Sequence, residues 1–115
     1  MTTLDESIQA LLLPLATGGA HQDVAIQGTI APYIVWLNVV SPTNNTLSGA
    51  SNVQNTRLQV DCYAPSAAAR KTLSDAVIAA MATASFKNVQ ITEQSNFETD
   101  TKLFRKVLEF SIWSA

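Results

Sequence analysis

The chain is short of the residues on which most catalytic and metal centres depend. Its 115 residues include one cysteine and one histidine, which excludes an intrachain disulfide, a histidine-based triad and a multi-histidine metal site within one chain. His21 lies beside Gly18-Gly19, a pair that lacks the spacing of a phosphate-binding loop. Cys62 falls on the apolar side of a predicted strand, where a buried hydrophobic role is expected. We therefore predict a non-enzymatic protein without a metal or a cofactor.

Charge is also scarce. Only 14% of the residues are charged, against about 25% in a typical globular protein. Seven lysines and arginines face nine aspartates and glutamates, so the net charge of -2 gives no attraction to phosphate backbones and argues against sequence-specific nucleic-acid binding. Because charged residues are depleted at the centres of protein interfaces, this composition favours a chain that works in contact with copies or partners. A soluble domain rich in serine and threonine is the alternative.

Long hydrophobic runs are missing as well. No segment reaches the ~18 continuous apolar residues of a membrane span. The acidic Asp5 and Glu6 precede the short apolar run Ile8–Leu15, which is the wrong charge for a secretory signal. The chain is therefore predicted to be an intracellular product without a membrane partner. Its length predicts one domain over residues 1–115.

The centre of the chain changes from an alternating to a helical pattern. Thr56–Ala64 (TRLQVDCYA) alternates apolar and polar residues, which predicts a strand with one buried face. Its apolar members are Leu58, Val60, Cys62 and Ala64. Residues 67–84 (AAARKTLSDAVIAAMATA) are alanine-rich with apolar residues at helical spacing, and the Ser66 hydroxyl is placed to cap their first turn. Asp61 is expected to be a paired or solvated surface carboxylate.

Further elements are predicted on either side of this centre. Residues 3–13 read as a helix that ends near Pro14. Tyr33–Val40 is apolar on both faces apart from Asn38, which indicates a central strand or a strand with one face in a subunit contact. Val24–Ile26 is a possible edge strand.

The C-terminal part predicts a hairpin. Val89–Gln94 and Leu103–Trp113 are expected to be strands, joined by the polar connection Ser95–Thr101. These patterns together predict an α+β fold, in which a mostly antiparallel sheet of about four to five strands packs against an N-terminal and a central helix.

Candidate contact residues come from one long loop and from aromatic or cationic strand positions. Ser41–Asn55 (SPTNNTLSGASNVQN) is turn-forming throughout and is predicted to project as a contact element, with a disordered hairpin tip as the alternative. Trp36 is either a core tryptophan or an interface anchor. Lys102, Arg105 and Lys106 form a cationic run that is commonly a solvated strand face. The candidate interface residues are Trp36, Asn44, Asn45, Leu47, Asn52, Arg105 and Trp113.

The order of three segments resembles a family of phage proteins. PYIVWLNVV (residues 32–40), RLQVDCYAPSAAARKTLSDAV (residues 57–77) and FSIW (residues 110–113) follow one another as in the tail terminator or tail completion proteins of long-tailed bacteriophages. The resemblance extends from about Leu4 to the C-terminus. It implies a structural virion protein, made in the host cytoplasm, at the head-proximal end of the tail.

The resemblance also implies partners. Such a protein forms a homo-hexameric ring that caps the tail tube protein, stops its polymerisation and joins the tail to a head-side connector or completion protein. His21–Ala31 lacks the basic or aromatic strand expected before Pro32, which leaves another neck or head-tail connector protein as an alternative. A small dimeric α+β module that binds a ligand or acts as a minor enzyme is the alternative from a different class.

Overall fold

The computed structural model describes residues 4–24, 29–39, 45–46, 49–50, 54–84, 87–99 and 102–114. Its elements in chain order are α1 (Leu4–Leu12), a 3-10 helix (Leu13–Leu15), β1 (Ala20–Gln22), β2 (Tyr33–Val39), β3 (Asn45–Thr46), β4 (Gly49–Ala50), β5 (Gln54–Ala64), α2 (Ala67–Ala82), β6 (Lys87–Glu98) and β7 (Leu103–Ser114). Neither helix is long and apolar enough to cross a membrane within this described part of the chain.

Five of the strands form one sheet in the order β1-β2-β5-β7-β6. β1 runs parallel to β2, and the other three pairings are antiparallel. The remaining two, β3 and β4, form a separate two-stranded ladder. The predicted α+β fold with a mostly antiparallel sheet and two helices is confirmed.

The two helices pack on one face of the sheet because their apolar stripes match its apolar side chains. In β2, β5 and β7 the core residues occupy even-numbered positions, as the alternation in the sequence predicts. The core includes Ile8 and Leu12 of α1, Leu73, Val77 and Met81 of α2, and Ile34, Trp36, Leu58, Val60, Cys62, Leu108, Phe110 and Ile112 of the strands.

Helix α2 begins where the sequence predicts. The backbone of Ser66 is extended, and its Oγ accepts a hydrogen bond of 3.1 Å from the amide of Ala69, one of the otherwise unpaired donors of the first turn. The helix ends at Ala82, two residues before the predicted end, and Thr83 caps it with its amide and hydroxyl on the carbonyl of Ala80.

Helix α1 is joined to the sheet by polar side chains as well as by its apolar stripe. Gln9 accepts a 2.7 Å bond from the indole Nε1 of Trp36 and donates a 2.7 Å bond to the carbonyl of Ala20. Asp5 accepts from Gln22 and Asn38 at 3.1 and 2.9 Å. The two bonds of Gln9 are partly buried, where an unpaired polar atom would cost stability, and the two bonds of Asp5 are exposed; all four join α1 to β1 and β2.

The edge strand before β2 differs from the prediction. The structure places it at Ala20–Gln22, and Val24 lies in a bend, so the prediction of Val24 as a strand residue is wrong; Ala25 and Ile26 lie outside the described residues. A glycine turn sets the position of this strand. The Gly18 amide donates to the carbonyl of Pro32 at 2.7 Å, an approach that a side chain at this position would block.

Two connections are shorter than predicted. Ser95–Glu98 belongs to β6 rather than to the hairpin connection, which is confined to residues 99–102. Strand β5 begins at Gln54, before the end of the predicted loop. Within that loop, Asn45–Thr46 pairs with Gly49–Ala50, so it is not turn-forming throughout; its other residues up to position 53 lie outside the described part of the chain.

Candidate functional site

One face of the sheet has no described helix over it, and we term it the open face. It carries the odd-numbered side chains of β2, β5 and β7, because the even-numbered ones hold the core. A sheet of this kind normally has a polar, solvated side. Here the composition is mixed: β2 is largely apolar on this face and β5 polar, whereas β7 alternates apolar residues with Arg105 and Glu109.

Strand β2 contributes an apolar strip to the open face, made of Val35, Leu37 and Val39. Val35 is only 8% exposed, and the other two are half-buried. Opposite them in register, β5 presents Asp61, Gln59 and Arg57. The strip therefore lies beside a polar row, an arrangement typical of a contact surface with an apolar centre and a polar border.

An ion cluster occupies one end of the open face. The Arg105 guanidinium donates from Nη2 to Asp61 Oδ2 at 2.7 Å and from Nη1 to Glu98 Oε1 at 3.1 Å, linking β7 to β5 and β6. Gln59 adds a 3.0 Å bond to Asp61 Oδ1. The Asp61 side chain is only 6% exposed, so the expected pairing is present, but the expected surface position is wrong. Arg105, which lies 44 positions away in the sequence, covers it.

Aromatic rings extend this cluster across the sheet. Tyr33 and Tyr63 stack with centroids 4.8 Å apart, and the Arg105 guanidinium lies 5.8 Å from the Tyr63 ring centroid. His21 meets Tyr33 edge-on at 6.4 Å. Burial raises the pKa of both tyrosines. Burial alone lowers the pKa of Arg105, but the Asp61 carboxylate outweighs it, so the net pKa is raised and the ion pair is held firmly.

The edge formed by β6 is long and exposed. Eleven of its 12 residues pair with β7, no other described strand lies on its far side, and most of its side chains are exposed. The register shifts between Gln90 and Thr92, a bulge of the kind that limits indiscriminate pairing at sheet edges.

The opposite edge, formed by β1, borders a groove of about 720 Å³. Helix α1 forms one wall and β1 the other. Its lining residues are Asp5, Glu6, Gln9, Ala10, Leu13, Ala20, His21, Gln22 and Val24. No sequence pattern pointed to this groove, because it depends on how α1 lies against a three-residue strand.

The candidate interface residues lie in different parts of the structure. Trp36 is 1% exposed and bonded to Gln9, which places it in the core and not on a surface that a partner can reach. Arg105 and the half-buried Trp113 lie on the open face, at different ends of β7. Asn45 belongs to β3. The other candidates, Asn44, Leu47 and Asn52, lie outside the described residues.

Groups with metal-binding or nucleophilic chemistry do not converge in the described part of the chain. No cluster of three or more histidine, cysteine or acidic side chains able to hold a metal occurs there. The Cys62 thiol is buried in the core, and burial raises its pKa to about 12. A thiol of this kind stays protonated at neutral pH and is a poor nucleophile.

A sequence model of the family described as tail completion protein gp17 matches residues 5–115. The chain belongs to this family. The match covers nearly the whole chain and confirms the resemblance drawn from its three segments. No curated protein sequence matches the chain.

Membership in the gp17 family makes the chain a component of a bacteriophage tail. The family is structural rather than enzymatic, and its members work with other tail components in the virion. Contact surfaces, rather than a catalytic pocket, are therefore the features of this fold that bear on function.

Proposed function

We propose that the chain forms a homo-hexameric ring on the head-proximal end of the phage tail, where it caps the tail tube and joins the tail to a head-side connector. The family match over residues 5–115 carries this proposal. The sheet supports it, because one face and both edges are left to contact other subunits.

Capping follows from the geometry of polymers. A tube stops growing when its end is covered by a subunit that fits the last ring on one side and cannot seed the next ring on the other. Such a subunit needs different surfaces for its own copies, for the tube protein and for the connector. Three surfaces are available here: the open face, the edge at β1 and the edge at β6. We assign the loop Ser41–Asn55 to the tube or lumen side.

Electron microscopy of particles made without this gene product tests the proposal. We expect tails of irregular, excessive length that carry no heads. Tails of normal length that fail to join heads would instead indicate another neck or connector protein of the particle. Normal infectious particles would contradict both functions.

A loop deletion tests the assignment of the tube side. Removal of Thr43–Asn52 is expected to leave the five-stranded sheet folded but to prevent capping. The readouts are circular dichroism for the fold and tail length for capping. Infectious particles of normal length with the shortened loop would show that the loop is not the tube contact.

A further inference from the structure

The exposed large hydrophobic side chains divide between the two edges of the sheet. Among the described residues six such side chains are between 41% and 79% exposed. Those near β1 are Leu13, Val24 and Ile30, and those on β6 are Val89, Ile91 and Phe97. Single exposed apolar residues are normal on a protein surface, but clusters mark contact sites. Leu13 and Val24 line the same groove beside β1. On β6, Val89 and Phe97 lie on opposite faces of the sheet, because they pair with Ser111 and Phe104, so the apolar side chains near the start of this edge are Val89 and Ile91.

The two edges differ in charge and shape. The edge at β1 is concave, and its groove is lined by the carboxylates of Asp5 and Glu6 with Leu13 and Val24. The edge at β6 begins with Lys87, which is exposed and has no ion-pair partner among the described residues. An acidic, partly apolar groove and a strand with a basic start and apolar side chains are complementary.

The groove presents side chains rather than a free row of backbone acceptors. The outward carbonyl of Ala20 already accepts from Gln9, at 2.7 Å. The carbonyl of Gln22 accepts from the amide of Val24, at 2.8 Å. A partner at this edge is thus held mainly by apolar contact and by charge, and not by extension of the sheet through these carbonyls.

We propose that Lys87–Ile91 of one copy docks in the groove beside β1 of the next copy. This contact rests on the ring proposed above and identifies the surfaces that close it. A ring requires a heterologous contact, in which two different patches of the same chain meet. The two edges lie at opposite ends of the strand order, so a single chain offers one patch to each neighbour. Pairing of β6 with another β6 would stop at a dimer.

Charge reversal tests the contact. Glu6→Lys and Lys87→Glu each place like charges opposite one another, and each is expected to raise the concentration needed for half-assembly about tenfold or more. The double variant restores the pair with its polarity exchanged and is expected to assemble within about threefold of wild type. Lys71→Glu, on the exposed side of α2, is the matched control, and we expect it to leave assembly unchanged. Sedimentation velocity gives the assembly state.

Cysteine cross-linking supplies a second readout that does not depend on charge. The native Cys62 is buried, so introduced thiols are the accessible ones. The double variant Val24→Cys with Ile91→Cys is expected to give a ladder of covalent species up to the closed ring when treated with a short thiol cross-linker. Either single variant alone is expected to give no ladder.

The outcomes separate the contact from the ring. If wild-type chains form a ring but the reversals and the cross-linker have no effect, the groove contact is wrong and the ring remains. Efficient dimers from Ile91→Cys alone would mean that β6 pairs with itself, which also overturns the contact. A wild-type chain that never exceeds a dimer contradicts the ring, and the contact with it.

Discussion

The two faces of the sheet differ in composition and in burial. The covered face is almost entirely apolar, and its side chains pack against α1 and α2. The open face alternates an apolar strip on β2 with a polar row on β5 and ends in a cluster of ions and tyrosines. Burial explains most of the first face, whereas the second is well buried within one chain only at Val35 and Asp61. The covered face thus accounts for the fold, and the ring that we propose assigns assembly to the open face and its edges.

A pair of leucines on neighbouring strands tests this division with the largest expected effect. Leu58 is fully buried on the covered face, and Leu58→Ala is expected to lower the free energy of unfolding by about 2–5 kcal/mol. Leu37 is half-buried on the open face, and Leu37→Ala is expected to cost about 1 kcal/mol or less but to weaken assembly. Urea unfolding measures the first quantity and light scattering the second. Equal losses of stability from the two substitutions would contradict the different roles assigned to the two faces.

The ion cluster gives the next largest effect. Arg105→Met leaves the Asp61 carboxylate buried without its cation and is expected to cost about 3 kcal/mol. Adding Asp61→Asn removes the unpaired charge and is expected to recover part of that loss. Lys71→Met breaks the exposed pair with Asp75 and serves as the control, with a cost below about 1 kcal/mol. Chemical denaturation of the wild type and the three variants measures these free energies of unfolding. A loss from Arg105→Met no larger than the control's would show that the cluster is not structural.

Alkaline pH is expected to weaken the fold through Cys62. Its pKa is raised to about 12 in the folded chain, from an ordinary value of 9.0, because burial disfavours the thiolate. The stabilisation is fully present below pH 9 and is lost as the pH rises toward 12, since only the unfolded chain then ionises freely. We expect a loss on the order of 1 kcal/mol at pH 10.

A Cys62→Ala variant isolates this contribution. Its free energy of unfolding is expected to fall less steeply above pH 9, with the remaining slope due to Tyr33 and Tyr63, whose pKa values are raised in the same direction. Native wild-type protein is also expected to resist thiol reagents at pH 8. Rapid labelling of the folded chain would contradict the buried position of this thiol.

The smallest expected effect concerns the helix that covers the sheet. Ser66→Ala removes the hydroxyl that accepts from the Ala69 amide and is expected to cost about 0.5–1 kcal/mol. Ser66→Asp keeps an acceptor at this position and is expected to be close to neutral. Thermal unfolding distinguishes the two variants. No difference between them would mean that the cap does not stabilise α2.

The same contrast between faces explains how much of the fold could be predicted from the sequence. Strands β5 and β7 and helix α2 were predictable because one side of each is buried, so apolar residues recur with a fixed period. Strand β6 is exposed on both sides and has no such period, which is why its last residues, Ser95–Glu98, read as a turn. Strand β1 is three residues long and polar, so its pairing with β2 cannot be predicted from the alternation of apolar and polar residues.

The candidate site was less predictable for a related reason. The sequence points to Arg105, but its two carboxylate partners come from β5 and β6, and only the sheet register brings them together. The sequence leaves Trp36 open as a core or an interface residue, and its burial with its bond to Gln9 of α1 places it in the core. Contacts between distant segments leave no local signal. The groove beside β1 is the clearest case.

The solution mass of the purified chain, measured by light scattering across a concentration series, tests the central claim most directly. We expect one discrete oligomer of ring size, either at all concentrations or growing from the monomer without large intermediates. A tight dimer that never grows would contradict it. That result would favour a small ligand-binding module whose sheet is closed by dimerisation.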